Sequence, residues 1–172
     1  MDIDQSNFHS KGNEILILGI GNYLMGDEGV GIHFSRKLEE EPFFKDKNIT
    51  ILDGGTGGFL LVPYLEAHPH VIIVDATMDK KPLGTVSLLK PKFSSDFPSS
   101  LSAHDFGLKD MVEILTLFDK MPTVYLYTVT INEIKPMFIG MSKKVEEAIP
   151  IVLEKVKNTI KEIENGFVRH IG

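Results

Sequence analysis

"EILILGIGNYLMGDEGVGIHFSRKLEE", residues 14–40, decides the fold class. Residues 14–20 are a short apolar run that ends around Gly19, the pattern of a strand buried on both faces. From residue 28 to 40, Val30, Phe34 and Leu38 recur at four-residue spacing, the stripe of an amphipathic helix. A buried strand therefore runs through a glycine-rich turn into a helix, which is the opening unit of a parallel α/β sheet. Such a turn is also where a phosphate is often held, but Asp27 and Glu28 sit at the helix start and would repel one. Two readings stay open for these acids: they complement the helix N-terminus, or they face a cation.

Working outward, the same alternation continues. "NITILDGG" (48–55) reads as a second strand, and "GFLLVPYLEA" (58–67) as a short helix broken near Pro63. "HVIIVDA" (70–76) is a third strand, the most uniformly apolar and hence expected at the sheet centre. "GTVSLLK" (84–90) is a fourth, placed at an edge and antiparallel. "PKFSSDFPSSLSAHD" (91–105) is a Pro/Ser-rich loop of the kind that often carries function. Residues 107–118 read as a helix, 123–131 as a fifth strand, and 141–165 as a long helix interrupted at Pro150. The expectation is a three-layer α/β/α sandwich around a mostly parallel, twisted five-stranded sheet. One α/β domain spans 14–165, between a polar tail at 1–13 and a C-terminal tail at 166–172.

The bulk numbers narrow the function classes. With 172 residues the chain is long enough to bury a core without metal or disulfide staples. Eighteen Lys and Arg against 24 Asp and Glu give a net charge of −6 with no basic cluster, so nucleic acid is not an expected partner. No apolar stretch approaches the ~18 residues of a membrane span, and residues 1–14 lack a leader pattern. The absence of cysteine excludes disulfides, thiolate metal sites and Cys nucleophiles, and fits a cytoplasmic protein. A monomer is expected. The G-x-G of "GIGNYL" has Leu24 where a dinucleotide fingerprint needs Gly or Ala. A Walker A loop, a G-x-S-x-G elbow and an H-E-x-x-H helix are all absent.

In a parallel sheet, ligands bind beyond the carboxyl ends of the strands. Asp27 and Glu28 follow strand one, Asp53 ends strand two and Asp75 ends strand three, so all four fall on that rim. His104 lies in the Ser-rich loop, within reach of it. Asp27 also reads as an N-cap and Asp53, before Gly-Gly, as a turn former. Asp75 follows "VIIV", where burial makes an idle carboxylate costly. His33, His68 and His70 read as structural. Glu28, Asp75 and His104 together offer oxygen and imidazole donors, a set suited to Ni²⁺ or Zn²⁺ with a coordination position left open.

"GIGNYLMGDEGVG", "DGGTGGFLL", "VDA", "SAHDFGL" and "IGMSKKVEEAIP" occur in an order and spacing that resembles the hydrogenase maturation endopeptidases, over roughly residues 14–160. The resemblance implies an endopeptidase that removes the C-terminal extension from the large-subunit precursor of [NiFe] hydrogenases. It implies that Glu28, Asp75 and His104 contact nickel, and that the nickel arrives with the precursor rather than as a resident cofactor. Asp53 matches a further acidic position, so either Asp53 or Asp75 is the candidate catalytic base, with activation of water by the metal as the other route. One departure is Asn132, where the family often has proline. A nickel-binding maturation chaperone without proteolytic activity would use the same ligands, and is the alternative.

Overall fold

The computed structural model describes residues 15–101 and 107–171, with side chains through residue 166. Its sheet contains β1 (Ile15–Gly19), β2 (Ile49–Asp53), β3 (His70–Thr77), β4 (Val86–Leu89) and β5 (Thr123–Thr130). They lie in the order β2-β1-β3-β5-β4, so β3 is central as its apolar run requires. The pairs β1–β2, β1–β3 and β3–β5 are parallel, and β4 is an antiparallel edge on β5.

The alternation of side chains across each buried strand divides the core in two. Ile15, Ile17, Ile72, Val74, Tyr127 and Val129 point to one face, which is covered by α1 (Val30–Leu38) and α4 (Lys143–Ile171). Leu16, Leu18, Val71, Ile73, Val124 and Leu126 point to the other, covered by α2 (Val62–Ala67) and α3 (Leu108–Leu117). The result is the three-layer sandwich expected from the sequence. No helix among the described residues is long and apolar enough to cross a membrane.

Glycine sets how closely α1 rests on the sheet. A Cβ on Gly31 would lie 2.3 Å from the carbonyl oxygens of both Ile20 and Val74, and one on Gly19 would lie 2.1 Å from the Gly31 oxygen. Here the backbones of helix and strands touch, which any side chain would prevent.

Two local expectations are corrected. Helix α4 runs without interruption through Pro150, and continues past Gly166 to Ile171 where a tail was expected. An internal proline costs a helix about 3 kcal/mol and a glycine about 1 kcal/mol relative to alanine. The stripe of Val145, Ala148, Ile149, Val152, Val156, Ile160 and Ile163, buried against the sheet, outweighs the cost of Pro150. The break near Pro63 falls slightly earlier: Gly58–Leu61 is a 3-10 turn, and Pro63 stands in the first turn of α2. The polar segment 1–13 lies outside the described residues.

Candidate functional site

Order reverses between β1 and β3: the chain leaves β1 through α1 to β2 on one side, while from β3 it goes to β4 and then through α3 to β5 on the other. Such a switch point opens a crevice at the carboxyl ends of the strands. Beyond Gly19 the chain stays against β3, with the Ile20 N–H donating to the Val74 carbonyl at 3.0 Å. It then folds back into a 3-10 turn, Gly26–Gly29, that packs against β3 and carries the acidic pair. Gly21, at φ +152°, allows this fold-back; a Cβ there would stand 2.3 Å from the Glu28 carbonyl oxygen.

Glu28 is buried at 3% exposure, and its Oε2 accepts the Asn22 N–H at 3.0 Å. Its side chain lines a cavity of about 210 Å³ together with Ala76, Met78, Ser100, Leu101 and Ile134. Asp75, at 1% exposure, stands next to Ala76 on β3, in register with Thr128 of β5. Its Oδ1 accepts the Ala76 N–H at 2.8 Å. The Ser-rich loop is laced to the same strand end. Ser100 accepts the Met78 N–H at 3.0 Å through its carbonyl and pairs with the Thr77 hydroxyl at 2.8 Å through its own, while Leu101 bridges to Thr77. His104, the third expected ligand, lies outside the described residues. Among the described residues, no three His, Asp or Glu side chains form a metal-holding group. No Lys or Arg is found among those lining the cavity.

Asp27 does not cap a helix. It stands inside the 3-10 turn, whose capping position is Met25, while α1 is preceded by Gly29, and neither end has a side-chain cap. Its carboxylate instead accepts the Ser142 N–H at 2.6 Å and the Ser142 hydroxyl at 2.8 Å. Ser142 immediately precedes α4, and its carbonyl accepts the first helical bond, from the Glu146 N–H. Sequence reasoning missed Ser142 and Asn22 as partners of the acids. A serine directly before a helical pattern was the one available signal for the former.

Asp53 stands apart from the cavity. One oxygen pairs with Arg36 Nε at 3.2 Å, the other accepts the Gly55 N–H at 3.1 Å, and the side chain faces solvent. Because β1 lies between β2 and β3, Asp53 and Asp75 are separated by two strand spacings, roughly 10 Å. His68 is buried between the Tyr64 carbonyl at 2.6 Å and the Thr50 hydroxyl at 3.3 Å. His33 packs on the Tyr23 ring at 4.8 Å, and burial, then the Arg36 charge, lowers its pKa while Glu146 opposes. Neither histidine lines the cavity.

Residues 32–159 match the family model described as hydrogenase maturation protease. The chain is 33% identical over 150 residues to the hydrogenase 2 maturation protease of Escherichia coli, covering 86% of this chain and 91% of that protein. A putative hydrogenase maturation protease of Methanocaldococcus jannaschii is 30% identical over 157 residues, covering 87% of this chain and 88% of its own. The solved structure of the hydrogenase maturating endopeptidase HybD from E. coli superposes with a TM-score of 0.76 at 32% identity, over 87% of this chain and 93% of that one.

Proposed function

The chain belongs to the hydrogenase maturation proteases, and we propose that it removes the C-terminal extension of a [NiFe] hydrogenase large-subunit precursor after reading the nickel already inserted there. The observation that carries the reading is the burial of two acids at the carboxyl end of the sheet: Glu28 lines a cavity with no Lys or Arg among the described residues lining it, and Asp75 precedes Ala76, which lines the same cavity. Buried carboxylates at this end of the sheet favour a cation. Where that cation belongs to the substrate, a loaded precursor gains contacts that an empty one lacks, which is discrimination by difference in affinity.

In this reading Glu28 and Asp75 act with His104 as the protein's donors toward the presented nickel. Three protein donors leave room for the precursor's own ligands. Glu28 is aimed by the Asn22 N–H and by the glycine fold-back, so it meets the metal without reorganising. Asp75 keeps one oxygen on the Ala76 N–H, and its carboxylate serves as the base that takes a proton from the attacking water. Asp53, committed to Arg36 and to the Gly55 turn, is assigned to shaping the loop after β2. The nickel supplies Lewis acidity at the bond to be cut.

The test is to incubate the purified protein with nickel-loaded precursor and weigh the product. The expected result is a precursor shortened at its C-terminus, and loss of that product in Asp75→Asn. A precursor that binds but keeps its full mass would mark a chaperone instead.

A further inference from the structure

The loop after β5 carries several large apolar side chains outward: Met137 is 85% exposed, Ile139 58% and Phe138 40%, and Leu24 from the loop after β1 is 45% exposed. The two loops are joined by backbone hydrogen bonds, from the Phe138 N–H to Leu24 at 3.1 Å, from the Gly26 N–H to Phe138 at 2.9 Å, and from the Lys135 N–H to Met25 at 3.3 Å. Met137 sits within this ladder at φ +57°, a left-handed conformation that costs energy for any residue but glycine. Such a conformation persists where the surrounding structure imposes it, as the ladder does here. Here it holds a long, adaptable side chain in solvent rather than in the core.

We infer that these two loops form one apolar docking rim for the folded hydrogenase precursor, with Met137 as its anchor; this rests on the protease reading above. Ile134 of the same loop lines the cavity with Glu28, and Ser142 at its end holds Asp27, so the rim is continuous with the crevice. The cavity, about 210 Å³, is smaller than the roughly 300–1,000 Å³ of ordinary ligand pockets. It holds only the short stretch around the cut bond, and recognition of a whole subunit comes from outside it. A second copy of this chain seated on the rim would cover the crevice that the protease must open to its substrate, so the occupant is the precursor. Methionine and aromatic side chains are enriched at protein interfaces relative to the rest of the surface.

Two full-chain variants test this, Met137→Gly and Ile139→Ser, with nickel-loaded precursor as the probe. Met137→Gly removes the anchor and relieves the positive-φ strain, so its Tm stays the same or rises. Its KM for the precursor rises about ten-fold with kcat nearly unchanged. Ile139→Ser gives a smaller rise in KM. Direct binding by calorimetry separates the two readings. Wild-type protein that binds precursor through the rim but leaves it uncut defeats the protease reading alone. Wild-type cleavage with unchanged KM and affinity in both folded variants overturns the rim. A wild-type dimer that Met137→Gly dissolves, without any change in KM, assigns the rim to a second copy and also overturns it.

Discussion

Ser142 donates both its backbone N–H, at 2.6 Å, and its hydroxyl, at 2.8 Å, to the carboxylate of Asp27. This clamp ties the residue before Glu28 to the start of α4, 115 positions away in sequence. The acidic turn at the end of β1 is thereby oriented by the longest helix, which is itself fixed to the sheet by its buried stripe. Ser142→Ala is expected to cost about 1–2 kcal/mol, since it leaves a mostly buried carboxylate short of one donor. Cleavage falls with it through misplacement of Glu28, and Ser142→Thr restores both. Denaturant unfolding and a cleavage rate on each variant check this; a stability loss with full activity would separate the clamp from the site.

Gly31→Ala tests the close approach of α1. Its Cβ would meet two sheet carbonyls at 2.3 Å, and neither belongs to a side chain that can turn aside. Overpacking of this kind costs about 1–3 kcal/mol. An alanine variant as stable as the parent in urea would mean that the helix rests less tightly than described.

These two contacts show where the sequence was legible. The central place of β3 followed from "VIIV", because a strand buried on both faces leaves a continuous apolar run. The place of Glu28 after β1 and of Asp75 near the end of β3 followed from the strand pattern. Asp27 was not legible: a capping residue and a long-range acceptor look the same locally, and its partner lies in a different element. Asp53 showed its turn-forming role through the glycines after it, while its pairing with Arg36 depends on how α1 packs beside β2. The length of α4 was misread at Pro150 and Gly166, since both are helix breakers locally, and at Pro150 only the packed stripe beneath the helix decides otherwise.

Asp75→Asn keeps the shape and the oxygen that accepts the Ala76 N–H, while removing the charge. Processing is expected to fall by roughly 10²–10⁴-fold, the worth of a positioned acid or base, with Tm unchanged or slightly raised. Near-normal processing by a folded Asp75→Asn would remove Asp75 from the chemistry. Glu28→Gln is expected to lose discrimination between loaded and empty precursor, measured as the ratio of the two rates.

His33 makes stability depend on pH in the mildly acid range. Burial, then the Arg36 charge, lowers its pKa below the ordinary 6.5, with Glu146 acting against them. The unfolded chain therefore binds the proton more readily, so this contribution is present above about pH 6.5 and is lost as pH falls through the lower folded value. Tm is expected to drop between pH 7.5 and 5, and to drop less in His33→Gln. Equal slopes in the two proteins would show that the imidazole does not carry the effect.

The central claim is that the protease reads nickel on its substrate. Chelator-treated protein is mixed with nickel-loaded precursor and, separately, with the same precursor free of nickel, and intact mass is followed over a single turnover. The account predicts that the loaded precursor loses its C-terminal extension without added metal, while the nickel-free precursor stays whole even at high enzyme concentration. Equal cleavage of both, or activity that requires a metal held tightly by the free enzyme, would contradict it.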